Sequence, residues 1–177
     1  MRGLWLALLL LLAPGLAARA QGPAAVPLEA LRVEILDRGL FEVVSGQITT
    51  LPNGLGRSEL ADAELVHSTT AIPARPGVSF GMIYRVHGRP RGATVRLATT
   101  IRFPPPGLLP PGQAAPVDEM TIEGEVRLGT DLQSAHVYTF DHEWEVAPGP
   151  WRFEVRYGDR LLAVQSFIVT QESSLRY

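Results

Sequence analysis

Apolar and polar residues alternate along most of the chain after residue 31, and this period of two predicts β-strands. The clearest alternation begins at Val78, where every second residue as far as Val86 is apolar. Two more rows of the same kind run from Val95 to Phe103 and from Met120 to Leu128. Alternation with a polar outer row is typical of antiparallel sheets that bury one face and expose the other to water.

The last third of the chain contains the sharpest predicted hairpin. Aromatic and aliphatic residues alternate with charged ones from Trp151 to Tyr157, and residues 160 to 169 form a second strand-like run. The two runs are joined by Gly158-Asp159. Gly followed by Asp suits a primed turn, whose positive φ matches the right-handed twist of paired strands.

The first third is less regular. Two short apolar rows flank Gly39 between residues 31 and 44, which predicts a strand bent at the glycine. Residues 45 to 60 contain Pro52, Asn53 and several glycines and are predicted to form a long loop. Residues 63 to 72 are predicted to be extended as far as Pro73.

These elements predict an all-β fold. No stretch after residue 20 shows a convincing apolar stripe of helical period, whereas about eight short strands are separated by Pro and Gly. We therefore expect an immunoglobulin-like or fibronectin-like antiparallel β-sandwich of 7–9 strands, with a closed small barrel as the alternative.

The N-terminal residues have the pattern of a secretory signal peptide. Arg2 precedes the apolar run LWLALLLLL, and a Pro-Gly break and the small-residue pattern Ala18-Arg19-Ala20 follow. Nine apolar residues are too few to span a bilayer, which needs about 20. The predicted organisation is therefore a signal peptide at 1–20, a flexible lead-in at 21–30, one sandwich domain at 31–170 and a C-terminal tail at 171–177.

Composition refines the expected location. The chain has no cysteine, which excludes disulfides and a lipid anchor on an N-terminal Cys, and all 16 of its basic residues are arginine. Removing residues 1–20 takes away two arginines and no acid, so the net charge falls from -2 to -4. We expect a periplasmic or secreted bacterial protein, exported by the general secretion route, that binds no nucleic acid and has no membrane anchor after cleavage.

The sequence Gly77-Val78-Ser79-Phe80-Gly81 matches G-x-S-x-G, the nucleophile elbow of α/β-hydrolases. That motif needs a turn between a strand and a helix, whereas here the following residues continue a strand. We interpret Ser79 as a strand residue and predict no catalytic residues.

Three acids offer the best metal-ligating pattern. Asp141, Glu143 and Glu145 fall on one face of a segment predicted to be extended, and carboxylate oxygens suit Ca²⁺. Residues on one strand face lie about 7 Å apart, so we favour a solvated face and assign no metal and no cofactor. The four histidines show no ligand spacing, and we expect His142, which shares its face with Trp144, to be half-buried.

A proline-rich segment follows the strand that ends at Phe103. Six prolines between residues 104 and 116 favour extended, partly polyproline II backbone, and Leu108 and Leu109 have no obvious core to enter. Either the segment is a tolerated insertion, which we favour, or it is a stiff recognition loop. In the second case the candidate partner-binding residues are Pro105, Leu108, Leu109 and Pro110.

Several short sequences resemble an uncharacterised family of bacterial exported proteins known only as a domain of unknown function. The most specific is Thr139 to Val155, TFDHEWEVAPGPWRFEV, supported by Asp37 to Phe41 and Ile72 to Gly77. The resemblance covers about residues 31 to 170 and implies an exported single-domain protein with no assigned activity. Within this sequence and in the residues that follow it as far as Gly158, we predict structural roles for Trp144, Trp151, Phe153, Tyr157 and Gly158.

The expected function is a non-catalytic periplasmic sandwich that binds a protein or an envelope component through loops and a sheet edge. Two alternatives remain. One is a metal-dependent enzyme or metal-binding protein that uses the acidic face from Asp141 to Glu145. The other is a glycan- or lipid-binding module, for which an aromatic cleft would be the first indication.

Overall fold

The computed structural model describes residues 30–50 and 56–171. The predicted signal peptide, all of the lead-in except Ala30, and all of the tail except Gln171 lie outside the described residues. Nine strands are described: β1 (Arg32–Thr50), β2 (Gly56–Ser68), β3 (Ala71–Pro73), β4 (Ser79–His87), β5 (Thr94–Arg102), β6 (Glu119–Arg127), β7 (Ser134–Thr139), β8 (Gly149–Tyr157) and β9 (Arg160–Thr170).

The strands form two sheets. The first has the order β2-β1-β4-β7, and the second has the order β3-β9-β8-β5-β6. All neighbouring strands are antiparallel except β3 and β9, which are parallel. The all-β immunoglobulin-like sandwich predicted from the alternation is confirmed, and the sheets do not close into the alternative barrel.

The core lies between the sheets and is centred on Phe80 of β4. This ring lies 5.3 to 6.2 Å from five other aromatic rings, contributed by β7, β8, β9 and the residue that follows β7. Tilted and edge-to-face contacts at such distances add to the free energy gained by burial. The inward rows predicted for β4 and β5 are confirmed, because each of their residues from Phe80 to Val86 and from Val95 to Phe103 is buried.

The strand directions give the sandwich two distinct ends. At the first, which we call the β4–β5 end, β4 finishes at His87 and β5 begins at Thr94. The opposite end, the β5–β6 end, is where β5 finishes at Arg102 and a long connection leads to β6. Every loop of the described chain between Pro73 and Arg160 belongs to one of these two ends, and this assignment positions the candidate sites.

The first strand is bent as predicted. At Gly39 φ is +152°, and a Cβ at this position would lie 1.9 Å from the carbonyl oxygen of His67 on β2. Irregular pairing on either side, between Ile35 and Asp37 and between Leu40 and Phe41, marks β-bulges. Only glycine allows the two backbones to approach this closely.

The predicted long loop at 45–60 is wrong. β1 continues to Thr50 and pairs with β2 from Gly56 onward, so that Thr50 lies opposite Gly56. Register shifts between Val44 and Ser45 and between Ser45 and Ile48 interrupt the alternation. A strand with bulges loses its period of two, and its glycines then resemble loop residues in the sequence.

The segment from Ala63 to Pro73 also differs from the prediction of one extended run. β2 ends at Ser68 in the first sheet, and β3 begins at Ala71 in the second. The Thr69 hydroxyl accepts a hydrogen bond from the Ala71 backbone N–H at 3.1 Å, which stabilises the crossing. Ile72 is fully buried after it.

The predicted hairpin of β8 and β9 is confirmed. Tyr157 pairs with Arg160 across the two-residue turn, and Gly158 has φ of +54°.

Candidate functional site

The G-x-S-x-G sequence has a structural role. Ser79 is the first residue of β4, is largely buried, and shares a 2.8 Å hydrogen bond with the Thr139 hydroxyl of β7. A Cβ on Gly81 would lie 2.0 Å from the carbonyl oxygen of His136. The serine is thus bonded across two strands, and Gly81 allows β7 to pair closely with β4.

The three acids that were candidate metal ligands do not come together. Their segment is not extended: residues Glu143–Glu145 form one turn of 3-10 helix, which breaks the alternation. Asp141 and Glu143 are exposed, whereas Glu145 is buried. Within the described ranges 30–50 and 56–171, no group of three His, Asp or Glu side chains suits a metal ion.

Glu145 is instead hydrogen-bonded to neighbouring residues of the fold. Its carboxylate accepts hydrogen bonds from the Tyr138 hydroxyl at 3.3 Å and from the His142 backbone N–H at 2.9 Å. Burial raises the pKa of Glu145 above its ordinary value, although the backbone hydrogen bonds oppose this effect. The carboxyl group closes the 3-10 turn in the way a capping box closes a helix.

Of the two neighbouring rings, His142 differs from its prediction. His142 is exposed rather than half-buried, and it stacks on Trp144 with ring centroids 5.9 Å apart. Trp144 is only partly buried at the margin of the core. Trp151 and Phe153 are fully buried, as their predicted structural roles require, and the Trp151 indole N–H donates to the Ala147 carbonyl at 2.8 Å.

The proline-rich segment folds back on itself. Leu108 pairs with Val117 through backbone hydrogen bonds of 2.9 and 2.7 Å, and Leu108 is buried in the core. The expectation that Leu108 has no core to enter is therefore wrong. Pro110 is buried as well, so that of the four candidate partner-binding residues only Pro105 and Leu109 are exposed. This loop mainly covers the β5–β6 end.

The outward face of the second sheet carries a charge network centred on Glu154. Arg102 and Arg156 donate hydrogen bonds to its carboxylate at 3.2 and 3.0 Å, and Arg152 lies 3.2 Å from it. Burial raises the pKa of Glu154, but these three arginines outweigh it and hold the pKa below the ordinary value. Arg102 also forms an ion pair with Glu119 on the neighbouring β6.

A second group of arginines lines a groove at the β4–β5 end, which we call the arginine groove. Its volume is about 600 Å³, and it is formed by the start of β1, the end of β4 and the loops on either side of Gly88 and Gly129. The charged and titratable residues that line it are Arg32, Arg85, Arg89, Arg91, His87 and Asp131, and Ala30, Gly88, Gly129 and Thr130 complete the lining.

The arginines of this groove are balanced by carboxylates more weakly than those around Glu154. Among the described residues, no acid lies within ion-pair distance of Arg32, Arg85, Arg89 or Arg91. The nearby Glu34 is bonded to His87, with 2.7 Å between Oε2 and Nε2, and this bond together with the charges of Arg32 and Arg85 lowers the pKa of Glu34. The groove therefore concentrates positive charge in a protein that is acidic as a whole.

Arg85 stands out within the groove. It lies on β4, which is held between β1 and β7, and its Nε atom is buried without any hydrogen-bond partner in the described part of the chain. Arg91 differs, since its Nε donates to the Gly129 carbonyl at 3.0 Å. The fold thus holds Arg91 by a hydrogen bond, whereas the Nε of Arg85 is buried without an acceptor among the described residues.

Sequence reasoning did not identify this groove. A usable indication was present: five arginines and no acid occur between Arg85 and Val117. The sequence does not show which of these arginines come together. In the fold, Arg96 and Arg102 lie on β5 in the second sheet, where both are near glutamates. The candidate sites proposed from the sequence all lie at or near the other end of the sandwich.

The fold and the groove define an immunoglobulin-like β-sandwich with a basic surface at one end. The chain belongs to the family described as domain of unknown function DUF3859, whose model matches residues 31–169. No helix of the described residues is long and apolar enough to cross a membrane.

One solved structure agrees with the immunoglobulin-like fold. An immunoglobulin-like protein from Pseudomonas aeruginosa is 27% identical, with a TM-score of 0.57, and the alignment covers 79% of this chain and 96% of that one. β-Glucosidases from Listeria innocua and Kluyveromyces marxianus align over 73% and 78% of this chain but only 16% and 14% of their own, with 10% and 11% identity. Their TM-scores of 0.33 are too low to indicate a shared fold. No curated protein matches the chain.

Proposed function

We propose that this protein is an exported, non-catalytic binding module that holds a periplasmic protein or envelope component in the arginine groove. The observation that carries the proposal is the set of four arginines around one open cavity, none of which has a carboxylate of the described residues within ion-pair distance. Like charges held together cost free energy, so such a cluster is typical of a surface that meets an oppositely charged partner.

The loop position of the groove supports the proposal. Gly88, Arg89 and Arg91 come from the connection between β4 and β5, and Gly129 to Asp131 come from the connection between β6 and β7. Binding residues in sandwich proteins are commonly placed on loops that a rigid core supports. The described residues that line the groove include no Trp, Tyr or Phe, which makes sugar binding by ring stacking a poor alternative.

The non-catalytic part of the proposal has its own support. Ser79 is bonded to Thr139, and the acids from Asp141 to Glu145 point to different environments. Export is proposed from the signal-peptide pattern at residues 1–20.

One experiment tests the whole proposal. The full-length protein is expressed in a native host, recovered from the periplasmic fraction, and its partners are captured by chemical cross-linking. We expect a mature protein that begins at Gln21. We also expect the amount of captured partner to fall at least tenfold when Arg89 and Arg91 are both changed to Glu. The matched control is Arg96→Glu on the second sheet, whose side chain is 68% exposed. Equal capture by the two variants, or retention in the cytoplasm without cleavage, would contradict the proposal.

A further inference from the structure

The arginines of the two sheets differ in how their charge is balanced, and this difference indicates what the groove binds. Arg102, Arg152 and Arg156 share the carboxylate of Glu154. Among the described residues, the four arginines of the groove have no carboxylate within ion-pair distance, Asp131 lines the groove, and the charge of Glu34 acts on Arg32 and Arg85. Four positive charges against these two negative charges leave an excess that a ligand with two negative charges would balance.

Arg85 provides a fixed contact for such a ligand. Its buried Nε–H has lost contact with water and gained no acceptor. Leaving a buried donor unpaired is unfavourable, and an unpaired group of this kind calls for a specific explanation such as an absent ion. An oxyanion placed beside the guanidinium would supply the missing acceptor, with at most a small movement of a side chain that is only partly covered.

The geometry of guanidinium favours phosphate among oxyanions with two negative charges. The planar fork of Arg donates two parallel hydrogen bonds to phosphate or carboxylate oxygens. A single carboxylate carries one charge, whereas a phosphate monoester carries close to two at neutral pH. A groove of about 600 Å³ also falls within the range of small-molecule sites and accepts the group that bears the phosphate.

We propose that the arginine groove is a phosphate-binding site in which Arg85 and Arg32 contact the phosphate and Arg89 and Arg91 contact its outer oxygens or a second phosphate. This inference rests on the proposed function and names the chemical class of its ligand. The phosphate has two sources: a soluble phosphate compound or the headgroup of a phospholipid.

Calorimetric titration of the mature protein with sodium pyrophosphate tests the proposal directly. We expect saturable binding that weakens as salt rises from 50 to 200 mM, because the contacts are electrostatic. Arg85→Gln should weaken binding at least tenfold. Arg85→Lys keeps the charge but loses the planar fork, so its affinity for pyrophosphate should lie between those of the unaltered protein and Arg85→Gln. Asp131→Asn should bind about two to five times more tightly, since it removes a repelling charge.

Two controls keep the result interpretable. Arg96→Gln on the second sheet should bind pyrophosphate as the unaltered protein does. Arg89→Gln changes an exposed loop residue, so it should weaken binding several-fold without altering the thermal midpoint, even if Arg85 variants fold poorly. The proposal is overturned if pyrophosphate does not bind, or if Arg89→Gln and Arg96→Gln bind alike.

A second arm separates the two sources of phosphate. Co-sedimentation with phosphatidic acid–phosphatidylcholine vesicles, compared with pure phosphatidylcholine, measures binding to a phospholipid headgroup that carries a phosphate monoester. Sedimentation that depends on phosphatidic acid and is lost in Arg89→Gln supports the lipid source, and pyrophosphate binding without sedimentation supports the soluble one.

The failure of this inference differs from the failure of the proposed function. If Arg89→Glu/Arg91→Glu abolishes partner capture but pyrophosphate neither binds nor competes with the partner, the groove is a binding site for another chemistry and only the phosphate assignment is overturned. If the charge reversal leaves capture unchanged, the proposed function itself fails.

Discussion

Glu154 lies on the outward face of β8, yet it is only 3% exposed because arginine side chains cover it. Its neighbours Phe153 and Val155 face the core, so the alternation of β8 is intact, and burial on the outward side comes from charged residues. A carboxylate with several charge-assisted hydrogen bonds contributes more than an exposed ion pair does.

Replacing this carboxylate by an amide should destabilise the fold. We expect Glu154→Gln to lower the free energy of unfolding by about 1 to 3 kcal/mol at pH 7, since it removes the charged acceptor of several hydrogen bonds. Chemical denaturation measures the change, with the exposed Glu123→Gln as the control. Equal stability of the two variants would show that the network contributes little.

The pH dependence of that difference follows from the direction of the pKa shift. The pKa of Glu154 in the folded protein lies below its ordinary value of 4.5. The ion pairs therefore stabilise the protein fully above this ordinary value and lose their effect as pH falls through the lower, folded pKa. We expect the advantage of the unaltered protein over Glu154→Gln to shrink steadily below about pH 4.5. A constant difference between pH 7 and pH 3 would contradict the assignment.

Trp151 is the largest fully buried side chain in the described core. Removing it should cost about 3 to 5 kcal/mol, because the cavity cannot be refilled by rings already in contact. Trp144→Ala is the matched control and should cost less, since Trp144 is only partly buried. Denaturation midpoints of the two variants measure this, and a smaller effect at Trp151 than at Trp144 would refute the packing described above.

At the scale of elements, the pairing of β4 with β7 depends on Gly81. We expect Gly81→Ala to destabilise the protein strongly, because its Cβ would overlap the backbone of His136. Gly124 on β6 has no atom within 4 Å of an added Cβ, so Gly124→Ala should be tolerated. Thermal unfolding of both variants tests the contrast. If both are equally stable, β7 can move away from β4 at little cost.

Strands that face the core regularly were the predictable ones. β4, β5 and β8 keep the alternation of apolar residues, so the sequence predicts their inward residues. β1 beyond Val44 and the beginning of β2 were missed because bulges shift the period of two. The turn at Glu143–Glu145 was missed for a related reason, since a single 3-10 turn leaves too few residues to show a period.

At the scale of the whole molecule, the class of fold followed from local patterns, but the candidate site did not. The arginine groove brings Arg32 together with Arg85 to Arg91, which are distant in sequence, and the pairing of β1 with β4 creates that proximity. The proline-rich segment is unusual in composition, but its residue Leu108 is buried and completes the core. Unusual composition indicated a covering element here, and unbalanced charge indicated the candidate site.

The parallel pairing of β3 with β9 has a mechanical consequence. Ala30 lies at the β4–β5 end and Thr170 at the opposite end, where it pairs with Pro73. Tension applied between these two points runs along the strands, so β9 would slide against β3 and β8, and β1 would slide against β4. In this geometry the hydrogen bonds share the load and rupture together rather than opening one at a time. We therefore expect the sandwich to resist tension applied between these two points better than tension that opens its strands one pair at a time.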